Sequence, residues 1–448
     1  MNVNMLKGSP VKAVLRFSLP LMLGNLFQLL YNLADSVTVG RFVSPEALAA
    51  VGVTAPMNTL LVGFAFGLTT GFSIPVAEAF GAGDIARVKK TFGNAVFLSF
   101  TLSAGLTLLA VSLSRPLLQL IDTPAEILDS ANTYAVIMYS SIVFMMFYNM
   151  MASMLRALGD STSPLLFLIL SSLCNILLDL LFVLVLHRGI VGVAVASVIG
   201  NAISVLLCIG FIYKKHPELY IQLSDLRPQK SVLHALLRMG VPMALQMSIT
   251  AVGSMILQSA VNTCGAYAVA AITAGTKVEN IVNIMLSGLG VGLSTFVAQN
   301  RGAKQFARIL TSVRRIFLLD LALSLGASVV LWYFGKSICR IFVGADATVI
   351  LDFADTYLKT LACFYWALSV LFVFRNLLQG LGYGYTSVIA GTAELMGRML
   401  IAFVLASRFG FSAICLAGPA AWILADIPLV AIYGVKKRKL KQRIAETQ

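Results

Sequence analysis

Apolar runs long enough to cross a bilayer recur along the whole chain, and that pattern excludes an ordinary soluble fold. A hydrocarbon core about 30 Å thick calls for about 20 mostly apolar residues per helix. Twelve such runs can be read, over 13–38, 47–79, 91–113, 126–155, 164–186, 191–213, 234–262, 268–299, 309–334, 350–379, 385–407 and 412–434. Backbone N–H and C=O groups in lipid must be satisfied within the segment, so each run is expected to be helical. The expected fold class is all-α and polytopic. Composition agrees: 58% of residues are hydrophobic and 12% charged, against about 25% charged in soluble domains. The first run contains Asp35 and is too long for a signal-peptide core, so it reads as a retained span.

Start signals support several of these spans. Ser9-Pro10, Ser44-Pro45, Thr123-Pro124 and Ser163-Pro164 each set a hydroxyl before a proline that suits the first helical position. Thr123 with Glu126 also fits a capping box.

The chain repeats itself. GLTTGFSIPVAEAFGAGDIAR (67–87) and GLGVGLSTFVAQNRGAKQFAR (288–308) share 10 of 21 residues at a constant offset of 221. Arg16 to Pro20 parallels Arg238 to Pro242, and each half ends in a lysine pair, Lys214-Lys215 and Lys436-Lys437. The expected organisation is an N-terminal six-helix lobe (1–213), a cytoplasmic linker (214–233) and a C-terminal six-helix lobe (234–448). An even number of spans per repeat preserves orientation, so the two pseudo-symmetric bundles are related by an axis along the membrane normal.

A formal net charge of +14 would fit a nucleic-acid binder, but its distribution argues against one. The basic residues cluster between apolar runs and favour every second loop, with about 24 of 33 on one side. By the positive-inside rule that side is the cytoplasm, which puts both termini there. The expected location is the cell membrane. The six cysteines are scattered in apolar runs without CxxC spacing and read as packing residues.

One stripe of the first span is costly. Asn25, Gln28, Asn32 and Asp35 are spaced 3, 4 and 3, which places them on one helix face. Amides alone can glue helices together. A carboxylate in hydrocarbon is expensive, and its presence points to function. At offset 222 the stripe becomes Met247, Thr250, Ser254 and Leu257, so the second half lacks the acid. On the fifth span Asn175 and Asp179 lie one turn apart, while Ser197 and Tyr134 add hydroxyls from the sixth and fourth. Two carboxylates so placed either share a proton or hold a small cation, for which carboxylate, amide and hydroxyl oxygens are suitable donors. Asp35, Asn175 and Asp179 would be the metal ligands if the ion were Na⁺. Gln28, Asn32 and Asp35 are candidate cavity residues. Pro20 removes a backbone hydrogen bond on the same helix and is a candidate bend. Elsewhere, Glu394 with Arg398 and Lys277 with Glu279 are expected to neutralise each other, Asp426 has no partner in sequence, and Glu78, Asp84 and Asp160 are expected to be solvated at helix ends.

YNLADSVTVGRF, GLTTGFSIPVAEAFGAGD, LRALGDSTSP and LSTFVAQNRGA, set in a 6+6 repeat, resemble the multidrug and toxic compound extrusion (MATE) family over essentially the whole chain. The resemblance implies a secondary antiporter that exports organic, mainly cationic and amphiphilic compounds against an inward H⁺ or Na⁺ gradient by alternating access. In the DinF-like branch the coupling site lies in the N-terminal lobe. Its residues fall on Asp35, Asn175, Asp179, Ser197 and Tyr134, with the bending proline on Pro20. The NorM-like branch adds acids on spans seven and ten, where this chain has Thr250 and Leu368. The resemblance also implies a monomer whose partners are small organic molecules and the bilayer, with no nucleic acid and no cofactor beyond the coupling ion. The alternative is a flippase of lipid-linked saccharides on the same superfold. That function needs basic residues for a pyrophosphate, and Arg375 and Arg398 are the candidates. No HExxH motif, nucleophile elbow or phosphate-binding glycine loop points to an enzyme.

Overall fold

The computed structural model describes residues 3–344 and 347–447, the side chains of 32–34, 36, 443, 446 and 447 excepted. Those residues are almost entirely helical, and no strand occurs among them. The first half contains α1 (Pro10–Phe42), α2 (Pro45–Gly81), α3 (Ile85–Leu120), α4 (Ala125–Ser140), α5 (Ile142–Ala157), α6 (Thr162–Leu180) and α7 (Gly189–Lys215). The second contains α8 (Lys230–Asn262), α9 (Ala266–Gly302), α10 (Phe306–Val343), α11 (Thr348–Gly380), α12 (Tyr385–Leu400), the short α13 (Ala406–Phe409) and α14 (Phe411–Cys415), and α15 (Ala417–Thr447).

Among the described residues eleven helical segments are long and apolar enough to span a membrane, and α4 with α5, bent by 42°, forms a twelfth. Each half carries one π-helical segment at the matching place, Leu181–Val185 after α6 and Ile401–Leu405 after α12. Such insertions widen a helix locally and recur at functional sites.

The chain forms two compact units. One gathers Leu19–Gly240, the other Asn4–Ser18 with Val241–Gln448. In the first unit Gly71 of α2 crosses Gly240 of α8 so closely that a Cβ on Gly71 would lie 2.4 Å from the Gly240 Cα. In the second, Gly292 of α9 meets the start of α1, where an added Cβ would lie 2.3 Å from the Ser18 Oγ. Gly71 and Gly292 are identical positions of the repeat. Small residues let membrane helices approach closely.

Some start signals act as expected and others do not. Ser44 caps α2, its Oγ accepting from the Ala47 N–H at 3.1 Å. The Thr123–Glu126 box does not form. Pro124 is the residue before α4, and the buried Thr123 Oγ1 has no hydrogen-bond partner among the described residues. The start of α6 is capped by Asp160, which accepts from the N–H groups of Thr162 (3.1 Å) and Ser163 (3.0 Å) and from the Ser163 hydroxyl (2.6 Å). Asp160 is therefore buried rather than solvated. Its second neighbour is the buried His216 at the end of α7, 3.7 Å away. Beyond His216, the linker lies against α3. Asn94 donates to the carbonyls of Asp225 and Arg227 and accepts from the Gln229 N–H at 2.9 Å.

Burial by itself would raise the Asp160 carboxyl, but the His216 and Ser163 hydrogen bonds outweigh it and hold the group down at about 2. Because the folded value lies below the ordinary carboxylate range, the stabilisation is complete above about pH 4. It is lost as pH falls towards 2. Asp160→Ala should lower the unfolding free energy in detergent by about 1–2 kcal/mol, the usual cost of a lost cap. The deficit, read by thermal unfolding, should be present at neutral pH and shrink on acidification.

Candidate functional site: a buried carboxylate pair in the first unit

The polar stripe of α6 follows from its spacing. Ser171, Ser172, Asn175 and Asp179 recur at helical intervals and are all buried, while Leu170, Leu173 and Leu177 of the same helix are exposed. A leucine-coated helix with one polar seam turns the seam inward, because lipid cannot hydrogen-bond it. On the facing helix α7, Gly200 permits the approach. A Cβ there would lie 3.1 Å from the Asn175 Cβ. Ser197, one turn earlier on α7, is also buried.

Helix α1 is set against this seam. The Gly24 position lies against Leu165 and Leu168 of α6. Beyond the site, Val39 of α1 is buried with Ala47 of α2, Val183 of the π-helical segment and Val193 of α7. Between these two anchor points Asp35 comes to Asp179. The two carboxyls are mutual neighbours, and Asp35 also neighbours the Tyr31 hydroxyl. Tyr31 in turn reaches Ser197, and Tyr134 of α4 stands within electrostatic range of both acids. Asp35, Asp179, Ser197 and Tyr134 therefore share one site, with Asn175 a turn from Asp179. No cation neighbours either carboxyl among the described residues.

Strict hydrogen-bond geometry is scarce there. Among the described residues no group bonds either oxygen of Asp179, either polar atom of the Asn175 amide, or one oxygen of Asp35, although all these atoms are buried. Each such atom costs about 1–3 kcal/mol if it is left unsatisfied. Donors of this kind fit a proton or a small hard cation equally. Among the described residues no three His, Cys, Asp or Glu side chains gather as a metal site, so a cation here would need amide and hydroxyl oxygens as well.

Of the remaining stripe residues, Asn25 is half-buried and Gln28 exposed, while the Asn32 side chain lies outside the described residues. Pro20 is internal to α1, which runs on through it. Tyr31 escaped the sequence reading. Its signal was its position, four residues before Asp35 and hence on the same face.

In the second unit the pairing of Lys277 with Glu279 does not occur. Lys277 is exposed and lies 5.3 Å from the centre of the Phe342 ring, whereas Glu279 accepts from the Tyr357 hydroxyl at 2.6 Å. Two residues apart on a helix they point to different faces. Glu394 does pair with Arg398, but its shorter contact is with Arg375 at 3.2 Å. Asp320 of α10, which sequence reasoning passed over, is fully buried and accepts from the Ser369 hydroxyl of α11 at 2.6 Å. Its clue was an acid amid aliphatic residues in the ninth apolar run.

Comparisons with known proteins agree with this architecture. A family model described as MatE matches twice, over residues 20–181 and 242–404. The probable multidrug resistance protein YpnP of Bacillus subtilis is 29% identical over 376 residues, 84% of each chain. The FAD transporter of Shewanella oneidensis is 25% identical over 425 residues, 93% of this chain and 92% of its own. A solved structure, the outward-facing conformation of a multidrug resistance MATE family transporter of the MOP superfamily, has the same fold, with a TM-score of 0.89 at 24% identity and 98% of each chain covered.

Because their polar atoms lack protein partners, Asn175 and Asp179 should cost stability. Asn175→Leu and Asp179→Leu are each expected to raise the unfolding free energy in detergent by about 1–3 kcal/mol, as apolar replacements of similar shape do. Thermal unfolding tests this, and a lower melting temperature in both variants would contradict it.

Proposed function

The chain belongs to the MatE family, whose model matches both halves, and from that premise we propose that it is an ion-coupled antiporter in which Asp35 and Asp179 carry the coupling ion. It is a membrane transporter and not an enzyme. The proposal puts it in the cell membrane as a monomer, with both termini cytoplasmic as the basic loops require. In this reading its cargo is organic, amphiphilic and mainly cationic; the Bacillus subtilis relative is described as a probable multidrug resistance protein.

One observation carries the reading: the half-buried Asp35 of α1 and the buried Asp179 of α6 meet without a basic partner among the described residues. Neutralising one or both changes the free energy of holding α1 against α6 and α7. A proton or Na⁺ taken from outside removes one of the pair's two negative charges. Deprotonated or ion-free carboxylates repel each other and attract a cationic cargo. Each state thus favours a different arrangement of α1, with Pro20 as the point of bending. Such differential affinity is what an ion needs to shift a conformational equilibrium. Asn175, Ser197, Tyr134 and Tyr31 orient the pair and supply the additional oxygens that a cation would require. Gln28 and Asn32, on the same stripe of α1, belong to the cargo side in this reading.

The flippase alternative is less well supported. Arg375 and Arg398, which it would use for a pyrophosphate, are both engaged by Glu394.

The test is efflux of a fluorescent organic cation from proteoliposomes under separately imposed pH and Na⁺ gradients. Wild type should respond to one gradient, and that gradient names the ion. Asp35→Asn and Asp179→Asn should fall to the rate of empty liposomes. Tyr31→Phe should transport about 3- to 10-fold more slowly, the loss of roughly one hydrogen bond of 0.5–1.5 kcal/mol. Gradient-driven efflux by Asp35→Asn at the wild-type rate would overturn the proposal.

A further inference from the structure

The second unit holds a buried ionic cluster remote in sequence from the Asp35 pair. Glu394 of α12 contacts the Arg375 guanidinium of α11 at 3.2 Å and that of Arg398, one turn along its own helix, at 3.9 Å. Arg398 also donates to the Thr250 carbonyl of α8 at 2.8 Å. Its aliphatic stem lies over Gly253, where a Cβ would be only 3.1 Å from the Arg398 Cδ. Asp426 of α15 lies within electrostatic range of Glu394 and Arg375, and Glu279 of α9 within range of Arg398. The near contact of Gly397 with Ala421 brings α12 and α15 together one turn from Glu394.

The charges do not balance. Three carboxylates (Glu279, Glu394, Asp426) against two guanidiniums (Arg375, Arg398) leave one negative charge. The other charged groups nearby have their own partners or face away. Lys277 is exposed against Phe342, Lys336 pairs with Asp352, Lys359 pairs with Asp355, and Asp320 bonds Ser369. From α8 the cluster receives Gln246, Thr250 and Ser254, which are uncharged. Leu368, Leu371, Ala390, Ala425 and Leu429 form an apolar core around it. A net charge enclosed in this way is expensive.

An independent observation marks where the imbalance sits. Asp426 is 9% exposed, and its buried Oδ1 has no hydrogen-bond partner among the described residues, whereas Glu394 and Glu279 have theirs. A buried carboxyl with an unpartnered oxygen, within electrostatic range of a second carboxyl that already pairs with two guanidiniums, is a proton site. A metal ion fits less well, because two guanidiniums already occupy the neighbouring oxygens.

We propose that the second unit binds one proton on the Asp426 carboxyl, beside the ion-paired Glu394. The existence of this site does not rest on antiport. Its use as a second coupling proton does, and it would let one cycle carry a proton through each half.

The experiment is infrared difference spectroscopy of the full chain reconstituted in lipid, with pH stepped on both sides of the membrane. The background is the double variant Asp35→Asn/Asp179→Asn, which removes the first-unit acids. In it a C=O band from a protonated buried carboxyl should appear below a transition pH and vanish above it. Adding Asp426→Asn should remove that component, and adding Glu394→Gln should shift its transition pH. Either isosteric variant suffices should the other fail to fold. A background spectrum without a titrating carboxyl component would overturn the proposal, as would one that neither substitution alters; bands of Asp320 and Glu279 are common to all variants and cancel in the comparison. Proton release on cargo binding, followed with a pH dye, separates the two claims. Asp426→Asn should release one proton fewer per protein than wild type. If only Asp35→Asn alters release, the second-unit proton is not coupled.

Discussion

Hydrocarbon offers no hydrogen bonds, and most of this structure follows from that constraint. It drives the backbone into helices, whose internal hydrogen bonds need no solvent. It also sorts side chains, since any polar group within a span has to find protein or a water-filled cavity. On α6 the outcome is direct: leucines are exposed, and the serine–asparagine–aspartate seam is buried against α7. The same rule that builds the bundle therefore concentrates its polar chemistry along a few internal lines.

What the two units do with these lines differs. The first brings two carboxyls together and gives them hydroxyl neighbours but no cation. The second surrounds its acids with Arg375 and Arg398 and keeps another acid, Asp320, on a serine hydroxyl. The scaffold is shared down to the glycine crossings at Gly71 and Gly292 and the paired π-helical segments. Packing thus preserves the repeat, whereas the charged positions diverge. A carboxylate needed simply for folding would have reason to recur in both halves. The lack of one at Leu257 fits a task of Asp35 beyond folding.

Much of the site was legible because helical periodicity is strict. Asp35 with Asn25 and Gln28, and Asn175 with Asp179, could be placed on faces from their spacing. Two kinds of feature could not. Partners on the same helix were overestimated: Lys277 and Glu279 are neighbours in the sequence, but they take a phenylalanine ring and a tyrosine hydroxyl instead. Contacts at helix ends were also misjudged, since Asp160 caps α6 and meets His216 from a distant part of the chain. Both errors have one origin. A side chain's partner is chosen by direction and by neighbouring helices, and neither is written in local spacing.

The sequence by itself determined the helical class, the number of spans, the doubling of the chain and the lines along which polar groups lie. These depend on hydropathy and on a fixed helical period, which act locally. The tertiary structure decided which lines meet. It brought Tyr31 and Tyr134 to the acid pair, gave Glu394 to Arg375 as well as Arg398, and buried Asp426 within electrostatic range of Glu394. Those choices depend on how closely helices can pack, and so on where glycines such as Gly200, Gly253 and Gly397 let one helix lie against another.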